Sequence, residues 1–90
     1  MKFNAWSKEG IEQGKKIITC RKKPHYNDPD VYCILGPVPW GVIRTYLFED
    51  EGADSPYELQ EVIDHIFRRR GAPVDDEELF YIHVLKKVEK

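Results

Sequence analysis

The chain has 90 residues, which is one domain with a modest core. Hydrophobic residues make up 41% and charged residues 33%, too apolar for a disordered chain, and no apolar run approaches the roughly 20 residues of a membrane span. A net charge of −2 means that nucleic acid would have to be held by a local basic face rather than by the overall field.

Residues 2–6 read as a short first strand. Ser7 can cap a helix reaching Gln13, and Gly14 can take the positive φ that ends it. Ile11 is that helix's main apolar anchor, and Gly10 weakens it. Residues 16–22 read as the next strand, because Ile17, Ile18, Thr19 and Cys20 favour a pleated, half-buried surface. Alternation puts Lys16, Ile18 and Cys20 on one side and Ile17, Thr19 and Arg21 on the other. Residues 24–30 are rich in turn formers and read as a loop.

Residues 31–35 are expected to form a strand, residues 36–39 a turn, and residues 40–48 a longer strand. An acidic loop, residues 49–54, leads to the clearest helix start in the chain. Ser55-Pro56-Tyr57-Glu58 is a capping box with Pro at the first helical position. Leu59, Val62, Ile63, Ile66 and Phe67 follow at helical spacing, and Gly71 marks the end. Residues 79–88 read as the final strand, with Phe80, Ile82 and Val84 alternating against Tyr81, His83 and Leu85. The expected order is β-α-β-β-β-α-β in one domain, residues 1–90. The expected class is α+β: a partly closed antiparallel barrel with two packed helices, since closure removes exposed edges.

Basic clusters stand at residues 21–23, 68–70 and 86–87, and acidic ones at 49–51 and 75–78. Such segregation permits a basic face; a solvated surface is the alternative. Cys20 and Cys33 show no metal or redox spacing and read as small apolar side chains, with a bridge between adjacent strands as the alternative. His25, His65 and His83 have no ligand spacing, so neither metal nor cofactor is expected. The first six residues turn polar too soon for a signal peptide, so the expected location is the cytoplasm.

The most informative stretch is Gly14-Lys15-Lys16-Ile17-Ile18-Thr19-Cys20-Arg21. It places an amine, an alcohol and a guanidinium within six residues, a set that can bind an anion or perform acyl chemistry. Its pattern resembles the signature of the ASCH domain, a small relative of the PUA fold, usually Gly-x-Lys-Thr-x-(Glu or Thr)-x-Arg. Gly14, Lys16, Thr19 and Arg21 fall on that pattern, and Ile17 replaces the usual Thr. Thr rather than Glu at position 19 is similar to the branch of small N4-acetylcytidine amidohydrolases. The resemblance implies a PUA-like barrel. In the amidohydrolase branch it also implies Thr19 as nucleophile, Lys16 as its activator and a Glu before the second helix as acid. Glu51 stands nearest that place, one residue out of register, with Glu49 as the substitute.

On their own terms these residues leave alternatives open. Lys16 beside apolar Ile17 and Ile18 is either a partly desolvated base or an exposed solubilising side chain. Thr19 is a common strand residue, and its hydroxyl needs an adjacent base to attack anything. Glu51 belongs either to a site or to a wet acidic loop. Arg21 suits a phosphate or a structural carboxylate. Lys22 and Lys23 extend the basic face. His25, Tyr26 and Trp40 could stack on an unpaired base, although Trp40 also suits a core lid over the sheet. Two functions follow. One is a monomeric module that binds RNA, a nucleotide or a nucleoside in a cleft lined by Lys16, Thr19 and Arg21. The other is an amidohydrolase that deacetylates N4-acetylcytidine with Thr19, Lys16 and Glu51.

Overall fold

The capping box at Ser55 opens the longest helix. In the computed structural model, which describes residues 2–86, α3 spans Pro56–Ile66, and Ser55 Oγ accepts the Glu58 N–H at 3.1 Å. Leu59 and Ile63 are buried, while Ile66 at the edge of the same face is 47% exposed. The cations after it form one 3-10 turn, Arg68–Arg70, closed by Gly71 at φ 71°.

The sheet is antiparallel and has three strands among the described residues: β1 (Ile18–Arg21), β2 (Val31–Pro39) and β3 (Leu79–Leu85). Their order is β1-β3-β2, so the last strand in sequence is the central one. Ile18 pairs with Val84, Thr19 with His83, Cys20 with Ile82 and Arg21 with Tyr81. Directly paired residues share a face. Ile18, Phe80 and Ile82 therefore point into the core, with Cys20 and Val84 packed at its margin. Trp40, Ile43, Ala53, Leu59, Ile63 and Val74 complete that core.

Several expectations need correction. Among the described residues the sheet has three strands and is not closed, so the expected partly closed barrel is not seen. Residues 2–6 form no strand: α1 spans Ala5–Glu12, and its cap is Asn4, whose Oδ1 accepts the Ser7 N–H at 2.8 Å. Ser7 is instead a buried residue inside the helix. Residues 36–39 are not a turn between two strands. β2 continues through them with a register shift between Leu35 and Val38, so a bulge absorbs the irregularity. Of the final strand, residues 87 and 88 lie outside the described residues.

The largest difference is α2 (Trp40–Tyr46), where a strand was expected. Val42, Ile43, Thr45 and Tyr46 favour strands, but tertiary packing overrides that preference. Trp40 and Ile43 are 1% and 0% exposed, and Leu47 packs beside them, which is a helical repeat of three and four. The helix has no side-chain cap. Its first N–H groups instead meet carbonyls of the returning loop, Trp40 N–H to Glu78 O at 2.7 Å and Gly41 N–H to Asp76 O at 2.9 Å. The Arg44 guanidinium holds both carboxylate oxygens of Asp76. Among the described residues there are thus three α-helices where two were expected.

Candidate functional site

Lys16 lies just before β1, and three backbone contacts fix it there. The Lys16 N–H donates to Gly10 O at 3.0 Å. The following Ile17 and Ile18 N–H groups donate to Asp50 O at 2.8 and 3.2 Å. The end of α1 and the acidic loop are thereby tied to the mouth of the strand. The Lys16 stem runs between two glycines. A Cβ at Gly10 would stand 3.2 Å from Lys16 Cβ, and one at Gly52 would stand 3.1 Å from it. Gly52 also has φ 94°, a conformation that L side chains rarely adopt. Gly10 therefore does more than weaken a helix: it lets the helix and the Lys16 stem touch.

Held this way, Lys16 is 4% exposed and Glu51 is 4% exposed. Lys16 Nζ donates to Glu51 Oε2 at 2.6 Å and to Glu51 O at 3.3 Å, and it sits 5.7 Å from the Trp6 ring centroid. Of the two acidic candidates, Glu51 is buried and borders the cavity, whereas Glu49 is exposed. The second Glu51 oxygen, Oε1, is buried and has no hydrogen-bond partner. A buried, unsatisfied carboxylate oxygen is uncommon and needs an explanation.

The pair borders a cavity of about 190 Å³ between the N-terminal segment, β1 and α3. Its polar side carries Lys16, Thr19, Cys20, Arg21 and Glu51, and Leu59, Val62, Ile63, Ile66 and Phe67 of α3 form an apolar wall. Phe3 and Trp6 close the N-terminal side. All three residues proposed for catalysis thus border one cavity. Thr19 is 6% exposed, but its direct partner is His83, which places its side chain on the sheet face opposite Cys20.

Cys20 is the residue that sequence reasoning passed over. It is half-buried, free, and on the core side of β1. Burial, then the Glu51 charge and contact with its carboxylate, raise the thiol pKa well above its ordinary value, with Lys16 and Arg21 pulling weakly the other way. Glu51 Oε1 forms no geometric hydrogen bond, so the thiol is its electrostatic neighbour rather than a bonded partner. The signal was present in the alternation, which set Cys20 beside Lys16 from the start.

The ligand-binding candidates separate into two groups. Arg21, Lys22 and Trp40 border the cavity, whereas Lys23, His25 and Tyr26 are not part of its lining. Arg21 Nη2 donates to Lys2 O at 2.7 Å, and its guanidinium lies 5.6 Å from the Phe3 ring centroid. Its buried Nε has no partner. Lys22 is committed to Glu78 Oε1 at 2.9 Å and to the Phe80 face at 4.5 Å. Trp40 is a core residue: its Nε1 donates to Gln60 Oε1 at 2.8 Å, and its ring meets Phe80 at 5.4 Å. Lys23 and Tyr26 are exposed, and the His25 ring packs edge-on against His83 at 5.4 Å. No group of three or more His, Cys, Asp or Glu among the described residues could hold a metal ion, and no described helix is long and apolar enough to cross a membrane.

No family model, curated protein or solved structure matches this chain.

Proposed function

We propose that the chain is an ASCH-type, PUA-like domain that holds a nucleoside, a nucleotide or an unpaired RNA base in the cleft lined by Lys16, Thr19 and Arg21. The observation that carries this reading is the orphaned, buried Glu51 Oε1 facing a cavity with an apolar opposite wall. A base is a flat apolar body with polar edges, and sites for it combine those two surfaces. Pockets for drug-sized ligands run to about 300–1,000 Å³. A cavity of about 190 Å³ suits a base with its sugar left outside better than a long strand. On this reading the open sheet is a reduced PUA-like barrel, and the domain acts as a cytoplasmic monomer without a metal.

The test is a titration with cytidine, N4-acetylcytidine and a short single-stranded RNA, read by the fluorescence of Trp6 and Trp40 and by calorimetry. Saturable binding of at least one, weakened by Arg21→Ala, supports the reading. RNA binding should weaken with salt, and the double change Lys22→Ala with Lys23→Ala should flatten that dependence. No binding of any of the three sinks it.

The second reading, N4-acetylcytidine deacetylation, is favoured by the buried Lys16–Glu51 pair on the cavity that Thr19 also borders. With Thr19 as nucleophile, Thr19→Ala should abolish turnover and spare nucleoside binding. Unchanged turnover in that variant would remove Thr19 from the role.

A further inference from the structure

We propose that Cys20 is the nucleophile of a thiol-dependent acyl transfer in this cavity, with Glu51 Oε1 as its proton acceptor and Lys16 Nζ as the cation beside the developing oxyanion. The substrates are small amides and activated acyl compounds, N-acylated bases among them. The inference rests on the reading of the cavity as a small-ligand site, and not on Thr19.

Three independent observations meet here. Strand parity and register put Cys20 with Ile18 and Ile82 on the core face of the sheet, and put Thr19 with His83 on the other. Cys20, Lys16 and Glu51 border one cavity. The carboxylate oxygen left free by Lys16 is buried and unpartnered, a hydrogen-bond acceptor without a donor. Among the described lining residues, Cys20 supplies the one S–H. Covalent catalysis requires a nucleophile, a base and a group that orients the base; Cys20, Glu51 and Lys16 are the candidates that share this cavity lining.

At rest the sulfur keeps its proton, since burial and the Glu51 charge both disfavour a thiolate. The proton therefore leaves as the C–S bond forms. Cys20 Sγ attacks the acyl carbon, its proton passes to Glu51 Oε1, and the carbonyl electron pair moves onto oxygen beside Lys16 Nζ. The pair returns, the C–N bond breaks, and the leaving amine takes the proton from Glu51. Water then attacks the thioester and gives a proton to Glu51. The C–S bond breaks, and that proton returns to sulfur. The net reaction is amide plus water to carboxylic acid plus amine.

The experiment uses two probes, N4-acetylcytidine and p-nitrophenyl acetate. Protein mixed with each is quenched in acid, digested and mapped by mass spectrometry, and product release is followed by absorbance. Acetyl on Cys20 is expected, retained in Thr19→Ala and lost in Cys20→Ala. Cys20→Ser keeps the side-chain shape, and its fold is checked by circular dichroism. Its turnover should fall at least about 100-fold, as should that of Glu51→Gln, in the range of general-base catalysis. Cys33, on β2 beyond the central strand, is the internal control. Acetyl found on Thr19 or Cys33 but not on Cys20, or parental turnover in Cys20→Ser, overturns the proposal. So does the absence of acetyl from Cys20 with both probes, whether or not nucleoside binds. Acetylation of Cys20 by p-nitrophenyl acetate without nucleoside binding supports the proposal and removes only the nucleoside as ligand.

Discussion

Lys16 Nζ stands 2.6 Å from Glu51 Oε2, with the two side chains 2% and 6% exposed. Removing one member of such a pair leaves a buried charge without its partner, at a cost of about 3–5 kcal/mol. Lys16→Met and Glu51→Leu should each lower stability by that order in urea unfolding. The double variant should lose clearly less than the sum, because neither charge is then left behind. Additive losses would show that the two side chains act separately.

The second prediction concerns α3. Ser55→Ala removes the acceptor for the Glu58 N–H and should cost about 1 kcal/mol. Ile63→Asp puts a carboxylate into the core cluster and should abolish the folded state. A cooperative thermal transition in Ile63→Asp would mean that the buried face of the helix lies elsewhere.

Glu78 gathers three donors. Lys22 reaches its Oε1, Arg70 takes both oxygens at 2.7 and 2.6 Å, and the Asp75 N–H donates to Oε2 at 2.5 Å. The Arg70 guanidinium, then the Asp75 N–H, hold this carboxyl far below the usual carboxylate range. A depressed folded value means the contribution is fully present above the unfolded value near 4.5 and is lost as pH falls below it. Glu78→Gln should lower neutral-pH stability by about 1 kcal/mol, a partly exposed pair being worth no more. The variant should also lose less stability than the parent on acidification from pH 5 to pH 3, about one carboxylate's share. Parallel acid curves for the two proteins would contradict the clasp.

His83 gives a pH dependence of its own. It is 0% exposed, its Nε2 accepts the His25 N–H at 3.0 Å, and its Nδ1 therefore carries the proton, donated to Tyr81 O at 3.0 Å. Burial, with the nearby His25 and Arg21, lowers its pKa below 6.5. The unfolded chain binds the proton first, so stability is full above about pH 6.5 and declines below it. The melting temperature should drop between pH 7 and pH 5, and His83→Gln should flatten that part of the profile. An unaltered slope in His83→Gln would assign the titration to another group.

Legibility in the sequence followed locality. The Ser55 cap, the apolar face of α3 and the strand at β3 are local patterns, and each is seen in the structure. The convergence of Lys16 with Glu51 was legible only through a motif, since the two stand 35 positions apart and nothing local links them. α2 was not legible, because Val42, Ile43 and Thr45 carry strand preferences and tertiary packing, with Trp40 against Phe80 and Ile43 fully buried in the core, overrides them. Gly10 looked like a flaw in a weak helix, when its missing side chain is space that Lys16 occupies. Cys20 was read by composition as filler, although its parity already put it with Lys16.

The central place of β3 has a consequence for synthesis. β1 and β2 leave the ribosome before β3 and, among the described residues, each pairs with β3 and not with the other. Until residues 79–85 emerge, the growing chain can form α3 and its local turns but no ladder, and Ile18 and Val38 remain without their cross-strand neighbours. Assembly of the sheet therefore waits for β3 and is closed by long-range pairing. A ribosome-stalled chain ending before residue 79 should be cut by protease throughout residues 18–39, and one carrying the whole strand beyond the exit tunnel should resist.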